Sequence, residues 1–372
     1  MSLVATRIAE IRANVPNFDK NSTRPLEYGA LDFFIEQSNS PVSILSEDLK
    51  QKALVSAGTD LKIPVINYDG DVTVSNTRTC TIADNENTSA LYTIVWQTYQ
   101  VGFTMVPDAY LNNSIDYTRD FNRKLEKVSR ALATALDRAA VAALEANKTQ
   151  VFTDALGYDV TGNTIQVPTQ MAGDILGDIN PIMRANAYPE QIHIVGNAGV
   201  ESLVRKLAEH DLYNDVNKRM EWADKILHFT NNVTNGEGKN GTFFAVADGN
   251  VGVLYRFDTA ALNRRVSAGH EWDTVMLPYL GIPVGSHYYE DVGDQSAIAG
   301  AATAHLKCTV KEHYGFSIDV AFVVAYNSAP TTQANPIIKG EVAKAGAGTP
   351  IATPVYVTNA AEFPSAAESP SE

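Results

Sequence analysis

The feature that most constrains the fold of this chain is a long amphipathic segment at 114–147. Apolar residues recur there at alternating four- and three-residue steps, the spacing of one face of an α-helix. They are Phe121, Leu125, Val128, Leu132, Ala135, Ala139 and Ala142. Ser114 or Asp116 can cap the start of such a helix. At ~1.5 Å per residue the helix would be roughly 50 Å long, so other elements must lie across it.

The segment before this helix predicts an extended hairpin. Residues 62–66 read as an apolar strand, 67–71 as a turn, and 75–89 as an exposed polar stretch. A second strand is predicted from the alternation of Leu91, Thr93, Val95, Gln97, Tyr99, Val101 and Phe103. Because a two-stranded ribbon is marginal in water, it must pack on its own domain or on a neighbour.

The remainder of the chain mixes helices and strands. Helices are predicted at 168–185 and 199–210, a buried strand at 191–196, and a hairpin around Asp248-Gly249-Asn250. Two strands follow at 305–312 and 316–326, and the composition then shifts to Ala, Pro, Thr and Gly. Separate helical and extended regions of this kind predict the α+β class.

The net charge of the chain limits the classes of partner that it is expected to bind. The 372 residues carry a formal net charge of -14, which argues against a dedicated nucleic-acid binder but allows a locally basic face. Basic side chains cluster on the predicted long helix at Arg119, Arg123, Lys124, Lys127 and Arg130. They indicate either an ordinary solvated face or a face that contacts DNA phosphates without reading sequence.

The motifs typical of enzymes and cofactor sites fail on context. The stretch 236–241 matches G-x-G-x-x-G, but a predicted strand follows it where a phosphate-binding helix is required. Cys80 and Cys308 match no metal or redox spacing and are expected to be reduced thiols. Cys308 and His313 lack an orienting third group, and His193 reads as a core residue. We therefore expect no enzyme, no cofactor and no metal.

Targeting signals are also missing from the expected places. Arg7, Glu10 and Arg12 interrupt the first residues before an apolar run develops. The densest apolar run, 320–326, is much shorter than the ~20 residues of a membrane helix. The expectation is a protein that is made and used in the cytoplasm, or released from it without secretion.

Three short motifs accompany this order of elements. The passage 99–116 leads from the last predicted hairpin strand into the long helix, residues 280–284 read Leu-Gly-Ile-Pro-Val, and 316–328 form an apolar closing strand. Together the order and the motifs resemble the Hong Kong 97 fold of tailed-phage major capsid proteins over roughly 30–328, where an "L-G-x-P-V" strand and a closing strand "f-d-v-a-f-v" recur. In the first motif Pro107-Asp108 replaces the Ser-Glu pair typical of the family, and Asn112-Asn113 stand near an acidic position of that pattern.

The resemblance implies a division of the chain into named segments. These are an N-terminal arm at 1–52, the E-loop with its flanking strands at 53–106, the P-domain spine helix at 107–165, the A-domain at 166–298, the P-domain return strands at 299–330, and a flexible tail at 331–372. The E-loop tip would contact a neighbouring subunit through Gly70, Asp71, Ser75, Asn76, Asn85 and Asn87.

The resemblance also implies function and partners. The chain would assemble in the host cytoplasm into hexamers and pentamers of an icosahedral shell, the capsid of the virion, around double-stranded DNA. Only about fifty residues precede the hairpin, so we expect a separate scaffolding protein, besides a portal and decoration proteins, and no membrane partner.

Two other structural roles compete with this interpretation. An encapsulin-like nanocompartment shell would carry a cargo enzyme instead of DNA, and a phage tail or baseplate protein would form tubes or small oligomers. A thiol or hydrolytic enzyme would need a nucleophile and base that the sequence does not offer.

Overall fold

The long helix predicted from periodicity is present as helix α3, Tyr117–Ala146, with Asp116 at its N-cap position. Its 30 residues span about 45 Å. Phe121, Leu125, Val128 and Leu132 are buried as predicted. In the second half of the helix Leu136, Ala140 and Leu144 are buried, whereas Ala135 and Ala139 are half-buried and Ala142 is exposed. The predicted stripe repeats every 3.5 residues and drifts around a helix that turns every 3.6, so its later part was wrong.

The computed structural model describes residues 28–56, 60–66, 89–110, 116–189, 191–207, 213–214, 219–222, 225–257, 266–267, 269–295 and 307–344. Besides α3, the helices are α1 (Gly29–Asn39), α2 (Glu47–Val55), α4 (Ile175–Ala185) and α5 (Ala198–Leu207), with 3-10 turns at Pro107–Tyr110 and Thr169–Met171. None of the helices in these ranges combines the length and apolar character that crossing a bilayer requires.

The strands are β1 (Lys62–Ile66), β2 (Ser89–Thr93), β3 (Gln97–Met105), β4 (Asp159–Val160), β5 (Thr164–Val167), β6 (Ile192–Gly196), β7 (Tyr213–Asn214), β8 (Arg219–Trp222), β9 (Lys225–Phe229), β10 (Lys239–Ala247), β11 (Val251–Arg256), β12 (Val266–Ser267), β13 (His270–Met276), β14 (Pro283–Gln295), β15 (Lys307–Val324) and β16 (Ile337–Ala343). They form a ribbon, a larger sheet and a smaller sheet, and with the helices they confirm the α+β class.

The two sheets divide the strands unevenly. The larger sheet has the order β4-β5-β16-β10-β6-β9-β8-β7, and the smaller has the order β11-β15-β14-β13-β12 with β3 also paired to β15. The ribbon is the antiparallel pair β1–β2, as predicted for the hairpin.

Three apolar clusters hold these layers together. The largest lies between α1, α3 and the smaller sheet, and it includes Phe33, Phe34, Phe121, Tyr314 and Phe316. A second cluster lies between the larger sheet and helices α4 and α5. A third, smaller one joins α2 and the base of the ribbon to β11 and β15. Helix α3 therefore lies across the smaller sheet as a spine.

The predicted hairpin around Asp248-Gly249-Asn250 is wrong. Strand β10 pairs on one edge with β6 and on the other with β16, so it has no free edge for β11. Strand β11 pairs with β15 in the smaller sheet instead. The connector 248–250 thus carries the chain from one sheet to the other, and Gly249 takes a φ of +76° there.

The single strand predicted from Leu91 to Phe103 is also broken. Strand β2 ends at Thr93 and β3 begins at Gln97. Between them Ile94 is buried in the third cluster and its N–H donates to the Leu61 carbonyl at 2.9 Å. The chain changes partner here, because β2 belongs to the ribbon and β3 to the smaller sheet.

Strands of the two sheets lie in segments for which the sequence predicted a different arrangement. The predicted tail at 331–372 is wrong for β16, because Ile337, Ile338 and Val342 are buried and the strand lies parallel to β5 inside the larger sheet. Residues 345–372 lie outside the described part. The predicted A-domain at 166–298 contains strands β11–β14, which lie in the same sheet as β15. The segment bounds themselves stay a prediction.

Candidate assembly surfaces

Three of the five predicted basic side chains form an exposed row on α3, which we call the basic row. Arg119, Arg123 and Lys127 are exposed and stand four residues apart, about 6 Å along the helix axis. Within the described residues none of the three forms an ion pair. A row of such cations can contact phosphates of any sequence.

The other two basic side chains are engaged within the subunit. Lys124 Nζ lies 3.1 Å from the Asp120 carboxylate and donates to the Thr104 carbonyl at 3.0 Å. Arg130 lies 3.1 Å from the Glu126 carboxylate, and its guanidinium carbon is 5.6 Å from the centre of the Tyr279 ring. These contacts fasten the helix to its surroundings, so the two residues belong to the support of the basic row.

The start of α3 is fastened to the smaller sheet by tyrosines. The Tyr117 hydroxyl donates to the Glu312 carboxylate, and the Tyr314 hydroxyl donates to the same oxygen at 2.9 Å. Burial, and then the hydrogen bond to Glu312, raise the pKa of Tyr117 well above its ordinary value. The phenol therefore stays protonated as a donor, and the basic row is held in a fixed position relative to β15.

A buried carboxylate joins α3 to α1. Asp137 is fully buried and accepts hydrogen bonds from the Leu31 N–H at 2.9 Å, from Asn232 Nδ2 at 2.7 Å and from the Thr230 hydroxyl. Tyr28 occupies the N-cap of α1 without a side-chain cap bond, so Asp137 caps that helix from another element. Burial raises its pKa, and these hydrogen bonds oppose the rise. The feature of the sequence that could have identified this group is the position of Asp137 next to Leu136, on the face of the helix that is buried.

Apolar side chains are exposed on the ribbon and beside it. Leu91 of β2 is 67% exposed, Val95 in the connector 94–96 is 74% exposed, and Val55 of helix α2 is 74% exposed. Exposed apolar side chains on a ribbon with little core are typical of a surface that another chain covers. The predicted tip residues Gly70, Asp71, Ser75, Asn76, Asn85 and Asn87 lie outside the described residues.

The outward face of the smaller sheet carries an aromatic ladder that the sequence reasoning missed. It comprises His270, Trp272, His287, Tyr289 and His313. The Trp272 and His287 rings stack with centres 4.8 Å apart, and the Tyr289 and His313 rings with centres 4.4 Å apart. Burial, and then the charge of His270, lower the pKa of His287. Aromatic residues two apart on adjacent strands were the available signal.

The other residues and motifs singled out in the sequence are His193, the glycine stretch 236–241 and the two cysteines. His193 is 2% exposed and hydrogen-bonded, so its assignment to the core is confirmed. The glycine stretch 236–241 runs into strand β10, as predicted. Cys80 and the side chain of Cys308 lie outside the described part. Among the described residues no cluster of three His, Cys, Asp or Glu side chains has the arrangement of a metal site.

Solved phage structures are similar to this chain at low sequence identity. One, from Mycobacterium phage Bobi, has a TM-score of 0.46 and 14% identity, covering 92% of this chain and 100% of that chain. The structure titled "Cyanophage Pam1 capsid asymmetric unit" has a TM-score of 0.45 and 12% identity, covering 90% and 98%. "Capsid structure of the Cyanophage P-SCSP1u" has a TM-score of 0.41 and 12% identity, covering 78% and 85%. No protein-family profile and no curated protein matches the chain.

Proposed function

We propose that this chain is a tailed-phage major capsid protein of the Hong Kong 97 type, with a structural and not an enzymatic role. One observation carries the proposal. The chain leaves a ribbon on which Leu91 is exposed, continues through β3 into the sheet that contains β15, and then enters α3, which lies across that sheet. A rigid spine attached to a projecting ribbon suits a subunit whose contacts are made mostly with its neighbours.

Assembly follows from the ribbon in this proposal. Leu91 and Val95 gain their burial against a second copy of the chain, and the E-loop tip from Gly70 to Asn87 extends that contact. A subunit that forms both hexamers and pentamers must tolerate small rotations at its interfaces. A ribbon joined to the subunit at one end supplies a long contact that can bend.

The basic row supplies the DNA-facing side in this proposal. Exposed Arg119, Arg123 and Lys127 bind phosphates of packaged double-stranded DNA without base contacts. The subunit as a whole carries a net negative charge, which favours solubility, while the basic row supplies a local group of cations. A scaffolding protein, a portal and decoration proteins complete the expected partners, with assembly in the host cytoplasm and the virion capsid as destination.

Electron microscopy of the expressed protein, with mass by light scattering, tests the proposal. We expect hexamers, pentamers or closed shells with masses far above that of one subunit. Tubes or small rings would support a tail or baseplate protein, and shells that co-purify with an enzyme instead of DNA would support a nanocompartment. A monomer at every concentration and salt, with or without a scaffolding protein, would contradict a shell role altogether.

A further inference from the structure

A buried hydrogen-bonded chain lies where α1 meets both sheets. It consists of Gln37 on α1, His193 on β6, His228 on β9 and the connector 248–250, and we call it the junction network. Gln37, His193 and His228 are 1%, 2% and 8% exposed. The position matters because the connector carries the chain between the sheets.

A backbone donor fixes the direction of this chain of bonds. The Gly249 N–H donates to Gln37 Oε1 at 2.5 Å, so the amide nitrogen of Gln37 faces His193 and donates to its Nε2 at 3.1 Å. A neutral imidazole that accepts at Nε2 carries its proton on Nδ1. His193 Nδ1 lies 3.2 Å from His228 Nε2, which is therefore the acceptor. The network assigns one tautomer to each histidine.

A second hydrogen-bond acceptor, the Asp248 carboxylate, lies beside His193 Nε2. Asp248 Oδ1 is 3.4 Å from His193 Nε2. A proton added to Nε2 changes it from acceptor to donor, so it opposes the Gln37 amide and attracts the Asp248 carboxylate. The bond from Nδ1 to His228 is kept in both states.

The groups that α1 and β10 direct at His193 are uncharged. Helix α1 contributes Gln37 and the Phe33 ring, whose centre is 5.3 Å away, and β10 places Val246 opposite. His228 from β9 and Asp248 from the connector are titratable groups that face it.

We propose that His193 is a proton-operated latch between α1 and the connector. When His193 is neutral, Gln37 holds both the imidazole and the Gly249 N–H, so α1 and the connector are tied together. When His193 takes a proton from solvent, it pairs with Asp248, Gln37 turns away and the Gly249 N–H loses its acceptor. Acidification in the range where imidazoles titrate thus loosens the passage between the two sheets. This inference does not depend on the proposed capsid role.

Two variants shift the latch in opposite directions. In Gln37→Glu one carboxylate oxygen still accepts from Gly249 and the other accepts a proton held on Nε2, which favours the charged imidazole. In Asp248→Asn the anion that receives the charged imidazole is gone. We expect the midpoint of the transition to rise by about one pH unit in the first variant and to fall by a similar amount in the second.

Hydrogen–deuterium exchange of the full chain between pH 8 and 5, corrected for intrinsic rates, reads the transition at the Gly249 amide. Nitrogen-15 histidine spectra, with His193 assigned by His193→Gln, read the tautomer directly. Asp291→Asn, on an exposed part of β14, is the control that should leave the midpoint unchanged. A proton on Nε2 at pH 8, or one midpoint shared by wild type and Asp248→Asn, overturns the proposal even if Gln37→Glu does not fold.

Discussion

Replacing Asp137 by alanine is the sharpest test of how the spine helix holds the subunit together. The change removes the acceptor of Leu31, Thr230 and Asn232, and it removes the cap of α1. Each of the three buried donors left without a partner costs about 1–3 kcal/mol, and the cost at the Leu31 N–H already includes the lost helix cap. Water entering the space and rotation of the Thr230 hydroxyl recover part of this. We expect a net loss of about 3–5 kcal/mol in the free energy of unfolding.

Urea unfolding of the soluble subunit, followed by circular dichroism, measures this loss. Asp137→Asn keeps the shape and one acceptor oxygen, so we expect about half the effect of alanine. Ala142→Gln, at an exposed position of the same helix, is the matched control and should change stability by less than about 0.5 kcal/mol. A loss below about 1 kcal/mol in Asp137→Ala would show that the carboxylate does not join α3 to α1 as described.

Four further changes probe the other surfaces. Replacing Arg119, Arg123 and Lys127 by Gln should leave empty shells intact and weaken genome retention more as salt rises; a basic row on the outside of a reconstructed shell would refute the DNA role. Leu91→Asp with Val95→Asp should leave thermal melting unchanged and prevent shells seen by electron microscopy, whereas Val160→Asp on β4 is the control. Replacing 75–89 by a short Gly-Ser turn should stop assembly at isolated capsomers while circular dichroism stays the same, and normal shells would make that segment a passive loop. Burial first, then the charges of Asp137 and Glu36, raise the pKa of Asp32 to about 7. The folded state therefore binds a proton that the unfolded state has released, and stability falls as pH rises from about 4 to about 7. Asp32→Asn should then stabilise the subunit at pH 8, on the order of 2 kcal/mol after allowance for solvent, and should add little at pH 4; equal effects at both pH values would refute this assignment.

Local patterns predicted the elements that depend on local contacts. Helix α3 follows from an apolar repeat long enough to exceed any turn or strand, and strand β6 from a short apolar run that is buried on every side. The ribbon pair β1–β2 follows from two strands around a polar stretch. In each case neighbouring residues carry the whole signal.

Partner choice between distant strands was beyond the sequence patterns. Asp248-Gly249-Asn250 suits a hairpin turn, but β10 already has partners on both edges and β11 finds β15 about seventy residues later. Strand β16 lies in a region whose composition resembles a tail, and only its place beside β5 makes it part of the core. Asp137 has the same character, because its three donors come from segments far away in the chain.

The antiparallel pairing of β3 with β15 determines how the subunit resists mechanical force. Strand β3 follows the ribbon after the connector 94–96, and all nine of its residues lie opposite β15 in antiparallel register. A pull that the connector transmits along β3 acts parallel to these strands, and the hydrogen bonds of the ladder resist it together as a shear joint. A pull sideways would open the same ladder one bond at a time. A shell built from such ribbons would be stiff against internal pressure that stretches them and yielding to motions that lift them from the surface.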